Sequence, residues 1–288
     1  MKDKMKDKMK DKMKDKMKGD YEPTLVEIIS KMWRGVAKSK DKVAAPRQVA
    51  PATPARNKVA APKPRQVAPA TTARNISDLE NYLVLQGKTH GSYSYPDLLV
   101  SNERTHLGKD WNDTQKELRK EDSFMLTIRQ FVDYLTLLKS GTAYDGSGKQ
   151  VGKSKLDAML SDIVEVKDPW KVEWLDAKLG KYFGRNTITY HKIKTDGTLE
   201  EVTEPLADYL TASKRPGISL DYWLQDATSQ GLPPGEFKIG NIWYSAPGDG
   251  TVAAFFAASD CAGLDCHRTP QYSDPTLGVR AVKRGKTK

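Results

Sequence analysis

Between residues 122 and 141 the apolar positions recur at helical spacing. After the short apolar DSFML, Thr127 and Gln130 stand as a capping box. Ile128, Phe131, Val132, Leu135 and Leu138 make one stripe, and Gly141 falls where a C-terminal cap is expected. A second helix is predicted from Ser154, burying Leu156, Met159, Leu160 and Ile163. A third follows Ser219, carries Leu220, Trp223, Leu224 and Ala227, and ends before Gly231. SDLENYLV (77–84) also reads as a short helix, and Trp170 and Trp174 stand at i, i+4 within 168–179. Strand patterns come later. NTITYHKI and LEEV flank Thr195-Asp196-Gly197-Thr198, whose Asp-Gly step predicts a hairpin. EFKIG, NIWYS and VAAFFAA read as short strands between turns. Helices first and short strands last predict an α+β fold rather than a doubly wound sheet.

The C-terminal stretch Thr251–Arg280 alternates, and successive side chains of a strand point to opposite faces. Ala262, Leu264 and Cys266 are small or apolar, and Gly263, Asp265 and His267 lie between them. Upstream, Ala253, Phe255, Ala257 and Ser259 alternate with Ala254, Phe256, Ala258 and Asp260, where the second set is itself partly apolar. The pattern predicts a strand segment that frames a binding face.

The N-terminal quarter is different in kind. Four MKDK copies open the chain, and a Met stripe of period four winds around a helix instead of marking one face. Leu25, Ile28, Ile29, Met32 and Val36 predict a short amphipathic helix over 24–38, capped by Thr24 and carrying Lys31, Arg34 and Lys38. Such a helix suits a partner or an anionic surface. KVAAPRQVAPATPARN then recurs as KVAAPKPRQVAPATTARN over 42–75, an Ala/Pro-rich tandem repeat without aromatics that reads as a semi-extended linker. The expected organisation is therefore 1–41, a linker over 42–75, and one globular domain over 76–288.

Charge follows the same division. Of the 288 residues, the first 75 hold 20 Lys and Arg against 8 Asp and Glu, a net +12; the remaining 213 hold 27 against 29, a net −2. The basic character belongs to the tail. Two cysteines, Cys261 and Cys266, exclude a disulfide scaffold. No run of eighteen apolar residues predicts a membrane span, and no apolar h-region suggests a secretory signal, so a cytoplasmic or virion-associated protein fits best.

Candidate chemistry is sparse. Gly152-Lys153-Ser154 evokes a phosphate loop, but Gly146 and Gly148 give the wrong spacing and no apolar strand leads into it. Cys261, Cys266 and His267 do not have zinc-site spacing. His90 and His106, near Tyr93, Tyr95, Asp97 and Glu103, form no recognisable catalytic set.

Ser259, then Arg268 and Pro270, and finally Leu277-Gly278-Val279-Arg280 resemble the closing pattern of C-type lectin domains of the formylglycine-generating-enzyme type. TIRQFVDYL (Thr127–Leu135) looks like the early helix of that fold, and WYSAP (243–247) like the strand before its last hairpin; the likeness spans roughly 76–284. Within that fold the chain is most similar to variable proteins of diversity-generating retroelements, particularly archaeal and phage-like ones. The resemblance implies a variable segment near 252–280, in which fixed scaffold residues alternate with displayed ones. Scaffold would be Val252, Ala253, Phe255, Ala257, Ser259, Ala262, Leu264, Cys266, Arg268, Pro270, Ser273 and Leu277–Arg280. The displayed, ligand-binding set would be Ala254, Phe256, Ala258, Asp260, Cys261, Gly263, Asp265, His267, Thr269, Gln271, Tyr272, Asp274 and Thr276.

The expectation is a non-enzymatic protein that binds a protein or cell-surface ligand, with no cofactor and no calcium. Joint replacement of Phe256, Asp265, His267 and Tyr272 by Ala is expected to abolish binding with little loss of stability. Two rival readings are a copper- or iron-dependent oxidase of the formylglycine-generating type, using Cys261 and Cys266, and a nucleic-acid-binding protein acting through residues 1–75. Nucleic acid is the less expected partner, because the basic tail lacks stacking residues.

Overall fold

The computed structural model of the protein describes residues 78–285 except 167, 212–213 and 236–237. The MKDK repeats, the amphipathic helix and the Ala/Pro linker lie outside the described residues. In chain order the elements are β1 (Tyr82–Leu85), β2 (Lys88–His90), β3 (Tyr93–Tyr95), β4 (Leu98–Ser101), α1 (Trp111–Lys120), α2 (Ile128–Ser140), β5 (Ala143–Tyr144), β6 (Gln150–Val151) and α3 (Lys153–Val164). There follow β7 (Lys171–Tyr182), β8 (Arg185–Ile193), β9 (Leu199–Pro205), β10 (Lys214–Ile218), α4 (Leu220–Asp226), β11 (Ile242–Ser245), β12 (Thr251–Ala257), β13 (Ala262–Arg268), β14 (Leu277–Gly278) and β15 (Val282–Arg284). The class is α+β, as expected, though strands open the domain as well as close it.

The large sheet has the order β10-β11-β13-β12-β7-β8-β9, with β14 paired parallel to β7. A smaller sheet, β1-β4-β15, joins the first strands of the domain to its last. Two predicted local signals form as written. Thr127 and Gln130 make both bonds of the capping box, and Gly141 closes α2 at φ 69°. The Asp196-Gly197 turn joins β8 to β9, with Gly197 at φ 83°. The stretch read as a helix at 77–84 is instead a single 3-10 turn (Leu79–Asn81) followed by β1, in which Leu83 and Leu85 face inward at strand spacing. The predicted helices from Ser154 and after Ser219 are α3 and α4. Gly152 simply precedes α3 at φ −65°, and Lys153 pairs with Asp157, so Gly152-Lys153-Ser154 is an ordinary helix start.

α2 is buried on nearly every side. Its apolar stripe packs on the sheet, where Phe131 and Phe255 lie 5.2 Å apart and Trp223 of α4 stacks on Phe255 at 6.2 Å. Its polar residues are buried too, and each needs a partner. Asp133 accepts from Lys88 Nζ (3.1 Å), Tyr95 Oη (2.6 Å) and Arg129 Nη2 (3.0 Å), and lies 2.7 Å from His90 Nε2, which clamps the β2–β3 hairpin onto the helix. That is the place of the His90, Tyr93, Tyr95 segment: a structural clamp.

The last strands are fixed by a buried charge. Arg280, 3 % exposed, donates from Nε to both carboxylate oxygens of Glu173 on β7 (3.1 Å each) and from Nη1 to the carbonyl of Asn102, with its guanidinium 5.7 Å from the Tyr134 ring centre. Removing one member of such a pair strands the other in a low-dielectric site. Arg280→Met is expected to cost about 3–5 kcal/mol in urea unfolding, and Arg280→Met with Glu173→Leu is expected to recover most of that loss; equal stability of the single variant and the parent would contradict this role.

Candidate functional site

The expected display segment divides along a line other than pleat alternation. Most of the scaffold half is buried: Ala253, Phe255, Ala257, Ala262, Leu264 and Cys266 join the main core against the helices, whereas Ser259 and Ser273 are exposed and Pro270 is half-buried. The other half does not all face solvent. Ala254, Phe256, Ala258, Cys261, Gly263 and Asp265 are buried. His267, Thr269, Gln271, Tyr272 and Asp260 are exposed, and Asp274 and Thr276 are half-buried.

The reason is the position of the strands. β12 runs between β13 and β7 in the middle of the large sheet, so its second face needs cover as well. Over the adjoining β7, α1 lies against the sheet and also holds the returning segment at Pro270. Trp111 donates from its ring to the carbonyl of Leu175 (2.9 Å), and its backbone N–H donates to the carbonyl of Pro270 (3.0 Å). Trp174 answers by donating to the carbonyl of Lys109 (3.1 Å). Gly263 is the tightest case. A Cβ there would sit 2.6 Å from the carbonyl oxygen of Trp243, so this position has no room for a side chain to display. Replacing Phe256, Asp265, His267 and Tyr272 together would therefore strike the core as well as the surface.

Apart from Ser259 and Asp260 in the turn between β12 and β13, what remains exposed is the stretch from His267 to Thr276, in which Arg268 alone is buried. It is held at both ends. Pro270 is fixed by Trp111; Thr276 accepts from Arg104 Nη1 at 2.6 Å, and Arg104 also reaches the carbonyl of Val172 (3.0 Å). Inside the loop Tyr272 N–H donates to the carbonyl of Thr269 (3.1 Å), and Asp274 accepts from the backbone and hydroxyl of Thr276 (2.8 and 2.5 Å). Beneath it Arg268 is sandwiched between the rings of Trp170 and Tyr272, each centred 5.3 Å from the guanidinium carbon. Asp265 lies 3.4 Å from Nη2. Arg268 Nε and Nη2 nevertheless carry no hydrogen bond among the described residues. Burial, and then the Asp274 carboxylate, push the Tyr272 hydroxyl up, so it stays a neutral donor. The sequence had marked Arg268 as scaffold and had no role for Trp170. Trp170 and Trp174, noted for their i, i+4 spacing, share no helix: Trp170 precedes β7 and Trp174 lies within it.

The alternative chemistries find little support. Cys266 is buried in the core and its thiol is pushed far up by burial; the Cys261 thiol is pushed up to about 12 by burial and Asp260. Metal binding and nucleophilic attack use the thiolate, which both environments disfavour. Among the described residues no group of three or more His, Cys, Asp or Glu side chains comes together to hold a metal, and no helix is long and apolar enough to cross a membrane. The polar crevice around Tyr93, Thr127, Asp176 and Tyr190 is filled by its own bonds: Tyr93 to Thr127 (2.9 Å), Tyr190 to Glu204 (2.8 Å) and Asp176 to Gln115 (2.9 Å). No family model matches the chain, and no curated protein or solved structure matches it.

Two measurements follow from this placement. Phe256→Ala should destabilise by about 3–5 kcal/mol, whereas Gln271→Ala should stay within about 0.5 kcal/mol; similar unfolding midpoints for the two would refute the division. The second concerns His191, whose Nδ1 faces Asp176 at 2.9 Å. The hydrogen bond to Asp176 raises its pKa above the ordinary imidazole value, against opposition from burial and Arg119. A raised folded pKa gives stability that is complete below about 6.5 and is lost as pH rises through the folded value. The stability advantage of the parent over His191→Asn should therefore shrink with rising pH above that point, read from urea midpoints across a pH series.

Proposed function

We propose that the protein is a non-enzymatic ligand-binding protein, that its α+β domain is C-type-lectin-like of the formylglycine-generating-enzyme type, and that it is similar to the variable proteins of diversity-generating retroelements. The observation that carries this reading is the loop His267–Thr276. It presents exposed Thr269, Gln271 and Tyr272 while its ends are tied by Trp111 and Arg104 to the sheet. A loop held in this way loses little conformational freedom on binding, and tyrosine with small polar neighbours gives contact area together with adaptable hydrogen bonding. The four residues that close the resemblance, Leu277-Gly278-Val279-Arg280, are all buried, which suits a fixed frame. Arg268 is buried as well, as a scaffold position should be.

The contact set in this reading is narrower than the alternating one. It keeps His267, Thr269, Gln271, Tyr272, Asp274 and Thr276; it drops Ala254, Phe256, Ala258, Cys261, Gly263 and Asp265 as buried, and Asp260 as exposed but outside the loop, in the turn between β12 and β13. The partner is a protein or cell-surface ligand.

Sequencing the 3′ coding segment across a natural population tests it. Substitutions should gather at the six retained positions, leave Arg268, Pro270 and Leu277–Arg280 unchanged, and match adenines of a nearby imperfect copy. Substitutions spread evenly over 252–280, or the absence of such a copy and of a neighbouring reverse transcriptase from a complete genome, would sink the diversification reading.

A further inference from the structure

The strands β7 and β8 meet in a two-residue turn, Phe183-Gly184, whose φ angles of 47° and 77° are both positive. Two-residue hairpin turns of this hand suit Asn and Gly. Gly184 adopts the conformation freely, and Phe183 does so against the steric preference of a bulky side chain. Phe183 is also 89 % exposed and Tyr182 66 % exposed, the two rings meeting edge to face at 4.5 Å. Beside them stand Lys181 and Arg185, with Lys178 four residues back from Tyr182 along β7; all three are exposed, and none is paired with a carboxylate among the described residues. One acid, Asp249, lies next to Gly180, two residues back from Tyr182.

We infer that this hairpin tip docks the protein on an anionic lipid surface, with Phe183 and Tyr182 entering the interface and Lys178, Lys181 and Arg185 meeting the headgroups. Shape and charge choose this occupant. A convex tip two residues wide offers no groove or flat patch for a folded partner, but it suits a deformable apolar phase. Aromatic side chains settle at the membrane interface, and cations flanking them gain from a negative surface. The amphipathic basic stretch predicted at 24–38 is compatible with the same kind of surface. The inference does not depend on the loop at 267–276.

The test uses the full chain and phosphatidylcholine vesicles with and without phosphatidylglycerol. The parent should bind the anionic vesicles and leave the neutral ones. Tyr182→Ser with Phe183→Asn should weaken that binding about tenfold or more. The fold should survive, because Asn suits the turn better than Phe and neither native ring is buried; an unchanged or raised Tm and an unchanged circular dichroism spectrum would verify this. Lys181→Glu with Arg185→Glu should weaken binding to the anionic vesicles to a similar degree. The proposal is overturned if the parent ignores anionic vesicles, if it binds neutral ones equally, or if the tip variant binds as the parent does. In that last case binding would belong to the basic tail. Loss of self-association or of single-stranded RNA binding in the tip variant, with vesicle binding intact, would assign the tip to those partners instead.

Discussion

The guanidinium of Arg280 sets the terms for the C-terminal third of the domain. A charge buried to this degree must be both neutralised and hydrogen-bonded, and its partners come from far along the chain: Glu173 is 107 residues away and Asn102 is 178 residues away. Satisfying them brings β7, the turn after β4 and the end of the chain to one point, beside Tyr134 of α2. From there the neighbouring residues have little freedom. Leu277 pairs with Val172, and Gly278 admits Leu107 to where a Cβ would stand 2.7 Å away. The loop before them is therefore stretched between two fixed stations, Arg268 at the end of β13 and Leu277 at the start of β14. Its exposure and its rigidity have the same origin.

The alternation at the C-terminus was legible, and within β12 and β13 one of its two faces lies in the core as read, while Ser259 and Ser273 outside them are exposed. The other was misread for a physical reason. Period two separates two faces of a strand but does not say that one is wet. A central strand with layers on both sides is apolar at every position, and Val252-Ala253-Ala254-Phe255-Phe256-Ala257-Ala258 fits that case. The apolar second face was the available sign. Gly263 was a second one: an unbranched backbone inside a strand often marks the close approach of another chain segment, which here is Trp243 on β11.

Local signals survived and long-range ones did not. The capping box of α2, the Asp-Gly hairpin and the helix after Ser219 rest on contacts within a few residues, so the sequence carries them directly. β1 was taken for a helix because SDLENYLV has good helix formers, and its strand state comes from pairing with β4 and the core burial of Leu83 and Leu85. α1, with the sequence WNDTQKELRK, buries a face whose only apolar members are Trp111 and Leu118, with Thr114 and Gln115 between them. It is held by polar and ring-edge bonds to β7, from Trp111, Trp174 and Gln115, over separations of 61 to 65 residues. Such pairings are invisible to periodicity. The same is true of Asp133, whose partners on β2 and β3 lie 38 to 45 residues away.

β7 runs between two exposed surfaces of the domain. Trp170, just ahead of the strand, stacks on Arg268 under Tyr272, and Tyr182 with Phe183 forms the strand's far end. Twelve residues of strand separate them, a span of about 40 Å at some 3.3 Å per residue. A surface gripped at Phe183 would therefore leave the Tyr272 loop a protein's width away from it. The rings at the tip cannot serve the ligand loop, and the loop's hydrogen bonds cannot order the tip. The two surfaces can therefore change independently of each other.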